Sequence, residues 1–198
     1  MRTASILREI IENRRTTKPD RFTGEVIPEP LVREVLESAN WAPTHGFTEP
    51  WRFTIWTGDG KSELLDFLIQ WDESRSGRNE VREEKRRKSV ESSSHIIGIG
   101  MKRGENPKIP FLEEVCSVAM AVQNMWLTTH SLGLSGYWST GEIGWSDELR
   151  DLLGLGEEDQ AMGFFYLGKS AIQPLPGRRI TTIDDKTKWV GGQTSETP

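Results

Sequence analysis

Two arginines followed by two threonines, in the stretch NRRTTKPDRF (13–22), are the first residues whose types and spacing could do chemistry. Arg14 and Arg15 offer planar forks of donors and Thr16 and Thr17 offer hydroxyls, a set that suits a phosphate monoester. The same residues would also serve merely to end a helix, because cations complement the negative end of a helix dipole. Three further groups stand at the ends of apolar segments. Thr44, His45, Thr48 and Glu49 lie in APTHGFTEPW and could read the edge of a heterocycle. Trp138, Ser139 and Thr140 close SGYWST, and Lys169, Arg178 and Arg179 follow the last apolar run. Basic groups at both ends of an acidic chain point to an anionic small molecule.

Other chemistries find little footing. His45, His95 and His130 are far apart in sequence, and Cys116 is expected on the buried face of a helix, so no metal signature arises. There is no Gly-x-Ser-x-Gly elbow and no Walker phosphate loop. The carboxylate pairs Glu113–Glu114, Glu157–Glu158 and Asp184–Asp185 read as solvated surface pairs. The glycines of GIGMKRG follow a strand but lack the dinucleotide-turn spacing.

Periodicity supplies the elements that must position these groups. Residues 3–13 form an amphipathic helix with Ile6, Leu7, Ile10 and Ile11 on one face. A second helix runs from about Glu29 to Asn40, and RFTIWTG alternates as a strand. KSELLDFLIQW is helical, whereas the mixed-charge run over 72–91 reads as a solvated helix or mobile segment. HIIGIGMK, SGYWST and AMGFFYLG are strands, and SDELRDLLG is a short helix that Ser146 would cap. The most apolar segment, 114–134, is the expected buried central helix. The tail after Gly168 is too polar to form its own core, yet it carries Trp189–Val190.

The chain has 198 residues, which suits one domain over 1–198, and its net charge of −5 argues against nucleic acid or acidic membranes as partners. One cysteine, no apolar span and no signal core together predict a soluble, cytoplasmic protein. Eight tryptophans serve either as core or as walls for a planar ligand.

NRRTTKPDRF, ANWAPTHGFTEPWRF, GLSGYWSTG and FFYLGK, in this order and across nearly the whole chain, resemble the FMN-dependent nitroreductase family and its small NAD(P)H nitroreductase subgroup. The resemblance implies an α+β fold, a central, mostly antiparallel sheet flanked by helices. It also implies a segment-exchanged homodimer with two FMN molecules at the interface. Arg14, Arg15 and Thr16 would hold the FMN phosphate and ribityl chain. His45 and Glu49 would reach the partner's flavin, and Trp138, Ser139 and Thr140 would line it. Arg178 and Arg179 would complete the phosphate site, and 128–133 is where a nicotinamide contact would fall. NADH or NADPH would deliver hydride, and a small acceptor such as a nitroaromatic or quinone would take it in a ping-pong cycle, with no catalytic side chain. Two positions depart from the family pattern. Thr16 replaces a serine and keeps the hydroxyl. Glu49 replaces a glutamine, which gives up a donor and adds negative charge beside a ring that becomes anionic on reduction. The alternatives are an FMN-dependent dehydrogenase or reductive dehalogenase on the same scaffold and, more remotely, a non-enzymatic anion- or nucleic-acid-binding module.

Overall fold

HIIGIGM is buried at every position and Gln160–Gly168 at all but its first, so neither segment has a polar face to offer water. Such strands belong in the middle of a sheet. In the computed structural model of the chain, which describes residues 2–173 and 175–191, they occupy that place. The sheet contains β1 (Trp51–Thr57), β2 (His95–Met101), β3 (Ser135–Ser139) and β4 (Gln160–Gly168) in the order β1-β2-β4-β3. Every pairing is antiparallel. β4 is held close to the end of β3 by Gly163, whose φ is +85° and whose missing Cβ would stand 2.1 Å from the Ser139 carbonyl oxygen. No side chain fits there.

The two faces of the sheet bury two separate cores. On one, Ile97, Ile99, Phe165 and Leu167 pack against α2 (Glu29–Ala39) and α5 (Phe111–Ser131). On the other, Ile96, Phe164 and Tyr166 meet α3 (Lys61–Ser76), α4 (Glu80–Ser92) and α6 (Asp147–Leu152). α1 (Arg2–Asn13) lies against α5. The architecture is α+β, as expected.

Four details correct the sequence reading. The central helix is Phe111–Ser131 rather than 114–134, because Pro110 starts it and Gly133, at φ +70°, turns the chain back after it. Glu114, expected in water, is 1% exposed and pairs with Arg103. Cys116, expected inside, is exposed, because it lies a quarter-turn off the buried line Glu114–Ser117–Val118–Ala121. The charged run is a regular helix, α4, capped by Asn79, whose Oδ1 accepts from the Arg82 N–H at 3.0 Å. It is pinned to α3 by Arg86, which donates to both Asp72 oxygens at 2.8 and 3.0 Å. Ser146 caps α6 as anticipated.

Candidate functional site

After α1 the chain runs along the free edge of β3. Thr16 makes a parallel bridge to Gly136, and the Thr17 N–H donates to the Gly136 carbonyl at 3.3 Å. Trp126 of α5 donates through Nε1 to that same carbonyl at 3.1 Å. This arrangement sets the Arg14 guanidinium 4.4 Å over the Trp126 ring, a cation–π contact. Burial, then the charges of Arg15 and Arg179, push the Arg14 pKa below the ordinary arginine value. Its Nη1 is buried and has no hydrogen-bond partner among the described residues. Arg15 donates to the backbone carbonyls of Glu12 at 2.6 Å and Leu175 at 3.1 Å. The tail passes so closely that a Cβ on Gly177 would stand 2.1 Å from Arg15 Nη2. His130, at the end of α5, has its pKa lowered by burial and then by Arg14 and Arg15. Among the described residues none of Arg14, Arg15, Arg178 and Arg179 forms an ion pair. A concentration of cations with an unsatisfied buried donor is the chemistry of an anion site.

Two residues beyond Thr16, Lys18 borders a cavity of about 360 Å³ between α4, the Lys18–Asp20 segment and β3–β4. Tyr137, Ser139 and Tyr166 face it from the sheet, and Arg86 and Ser89 face it from α4. Burial works against the Arg86 charge, but the Asp72 hydrogen bonds and charge outweigh it, and the net shift is upward. Burial drives Tyr166 up to about 12, so its hydroxyl stays protonated and available as a donor at neutral pH. The period of two along β3 separates the expected trio. Ser139 lines the cavity, whereas Trp138 turns to the opposite face and donates through Nε1 to the Met162 carbonyl at 2.8 Å. Thr140 is exposed, and its carbonyl accepts from Trp145 Nε1 at 2.9 Å.

The loop Thr44–Glu49 lies elsewhere. His45 Nδ1 stands 2.6 Å from Glu113 in the first turn of α5. Thr44 and Thr48 share a hydroxyl hydrogen bond of 2.9 Å, and Thr44 Oγ1 accepts from the Glu49 N–H at 3.3 Å. Phe47 and Glu49 have φ of 57° and 42°, left-handed values that non-glycine residues adopt at a cost of about 1–3 kcal/mol. Glu113 and Trp126 are thirteen residues apart on one helix, which is about 20 Å at 1.5 Å per residue. A single chain therefore does not bring His45 and Glu49 to Arg14.

The family model described as the Nitroreductase family matches residues 11–169. The chain belongs to the nitroreductase family. A Bacillus subtilis relative, named "Putative NAD(P)H nitroreductase YfhC", is 26% identical over 186 residues, covering 92% of this chain and 93% of its own. Among solved structures, the nitroreductase-like family protein of Bacillus cereus superposes with a TM-score of 0.80 at 23% identity, over 94% of this chain and 96% of that one. The FMN- and NADPH-dependent nitroreductase NfnB of a Sphingopyxis strain gives 0.71 at 18% identity, over 94% and 99%.

Within this nitroreductase-family fold the expected residues thus fall into three places. Arg14, Arg15 and Thr16 share one edge with Arg179 beside them. Ser139 opens onto the cavity, and His45 and Glu49 stand at the far end of α5. Sequence reasoning missed Lys18, Arg86 and Tyr166. Lys18 was within reach, since it follows Thr16 by two residues on an extended edge. Arg86 was hidden in a charge run whose partner, Asp72, is set only by the packing of α3 on α4. Among the described residues no cluster of His, Cys, Asp and Glu could hold a metal, and no helix is long and apolar enough to cross a membrane.

Proposed function

We propose that the chain binds FMN and uses NADH or NADPH to reduce nitroaromatics, quinones or similar small acceptors in a ping-pong cycle. The observation that carries this is the buried, unpartnered Arg14 Nη1 in a cluster of unpaired cations. The printed names of family relatives support it, NfnB being described as FMN- and NADPH-dependent. Arg14, Arg15 and Arg179, with Arg178 next in sequence, would hold the phosphate, and the Thr16 hydroxyl would assist. The cavity bordered by Lys18 and floored by Tyr166 and Ser139 would take the ring. When bound, FMN supplies hydride acceptance from the nicotinamide and hydride donation to the acceptor. The chain contributes charge, orientation and exclusion of water, and no side chain need serve as acid or base. Trp138 would then act from behind the sheet edge rather than against the ring, and Thr140 through its position near the rim.

The working unit in this reading is a segment-exchanged homodimer in the cytoplasm, each chain a single domain over 1–198. The apolar stripe of α1 supports it, with Ile6, Leu7 and Ile11 about half exposed, as do exposed Phe111, Leu112 and Met120 on α5. β1 pairs with β2 alone, and beside its free edge a groove of about 660 Å³ is lined by Leu36, Trp51 and Phe53. The tail offers Trp189 and Val190, both more than 80% exposed. In a two-fold pairing of α5 with its copy, the His45 end of one chain meets the Arg14 end of the other. That pairing closes the gap of about 20 Å along the helix.

The purified protein should be yellow, with flavin absorbance near about 450 nm, and should elute at dimer mass in light scattering. A colourless protein overturns the cofactor reading, and a flavin-loaded monomer overturns the assembly. Steady-state assays with both nicotinamides against nitroaromatic, quinone and halophenol panels assign the reaction.

A further inference from the structure

The charges around the cavity are more than a cofactor anchored at Arg14 requires. Asp72 and Arg86 neutralise one another in the wall. Lys18, Arg82 and Lys85 stand exposed at the mouth, opposed there by Asp20 alone. Among the described residues none of the three makes an ion pair, and Arg82 donates only to the Ser76 hydroxyl. A positive mouth in a chain of net charge −5 is a local inversion of sign, which concentrates anions at a cleft. Beneath that mouth the surface is aromatic, with the Tyr137 and Tyr166 rings 6.1 Å apart. Tyr166 is 4% exposed, lines the cavity and makes no hydrogen bond among the described residues, so its hydroxyl is a donor facing inward.

We infer that this site favours acceptors that are anionic aromatics, a ring entering the tyrosine-lined cavity while its carboxylate or sulfonate stays at the mouth with Lys18, Arg82 and Lys85. The inference rests on the FMN reading and extends it to the acceptor. A neutral ring of the same shape gains the aromatic contact but not the charge. A multiply charged anion without a ring gains the charge but leaves the tyrosines unfilled.

The test compares para-nitrobenzoate with para-nitrobenzyl alcohol on the flavin-loaded protein, as wild type and as Arg82→Gln/Lys85→Gln. Wild type should prefer the carboxylate by roughly three- to tenfold in kcat/KM at low salt, the effect of one or two exposed charge contacts. The preference should reside in KM and shrink as ionic strength rises. The double variant should lose the preference. Titration calorimetry with benzoate, which cannot be reduced, should show the same loss of affinity. Equal values for the two acceptors in wild type, or a preference that survives the double substitution, overturns the inference. Flavin loss from the double variant on dialysis would instead assign these cations to the cofactor and overturn it as well. A colourless wild-type protein would fail the FMN reading separately, and benzoate titrated into that protein would still judge the mouth.

Discussion

The two ends of α5 are built on opposite electrostatic plans. At the N-terminal end every acid has a partner. Glu113 meets His45, and Glu114 takes Arg103 and the Gly104 N–H, the latter at 2.8 Å. At the C-terminal end Arg14, Arg15, Arg179 and His130 gather with no carboxylate among them, and one buried donor lacks a partner. The first end is satisfied within one chain and acts as a brace. The second is a set of cations whose mutual repulsion persists until an anion arrives. A structural region and a binding region can therefore be told apart by their unpaired groups alone.

The largest test of that contrast is Glu114→Ala. It leaves the Arg103 guanidinium, about one-fifth exposed, without its buried partner, and stability should fall by about 3–5 kcal/mol in denaturant unfolding. A loss below about 1 kcal/mol would mean the N-terminal end is not a brace. At the other end the order reverses. Arg14→Ala should leave stability nearly unchanged or improve it, because a desolvated, repelled cation is removed, yet weaken FMN by about 1.5–3 kcal/mol. Full flavin occupancy after dialysis would remove Arg14 from the phosphate site.

Glu49→Gln tests whether the braced loop serves the partner's cofactor. Taking away a negative charge should make the flavin potential more positive and tighten reduced FMN, read by redox titration. An unchanged potential means that Glu49 does not face the ring. His45→Ala removes an exposed pair with Glu113 and should cost less than about 1 kcal/mol.

The smallest effect is a titration. His130 is held below the ordinary histidine value of 6.5 by burial, Arg14 and Arg15. On acidification the unfolded chain takes up this proton before the folded one does, so His130 stability is present above pH 6.5 and declines below it. A phosphate dianion between the arginines should raise the His130 pKa in an NMR titration. No movement would place the anion elsewhere.

The helices and strands were readable because their patterns are local. Ile6, Leu7, Ile10 and Ile11 give a helical stripe, and the uniform burial of β2 and β4 follows from uninterrupted apolar runs. What the stripe did not reveal is that Ile6, Leu7 and Ile11 remain exposed in one chain, since periodicity marks an apolar face without naming what covers it. Glu114 was misread because adjacent acids look alike in sequence, although its helical line through Ser117, Val118 and Ala121 points inward. The anion cluster was legible as Arg14, Arg15 and Thr16. Its Trp126 floor was not, because that contact spans more than a hundred residues and depends on how α1 docks. The split of Trp138 from Ser139 was readable, since neighbouring residues of any strand face opposite ways.

The outer edge of β1 makes the concentration of this chain a variable in its own production. Seven residues there expose a row of backbone donors and acceptors on the side away from β2. An open row of this kind recruits extended polypeptide without regard to sequence. A newly released chain thus faces a race between meeting its own copy and meeting any other unfolded segment nearby. Both encounters accelerate as chains become crowded, so slower synthesis at lower temperature should raise the yield of well-formed protein more than greater expression does.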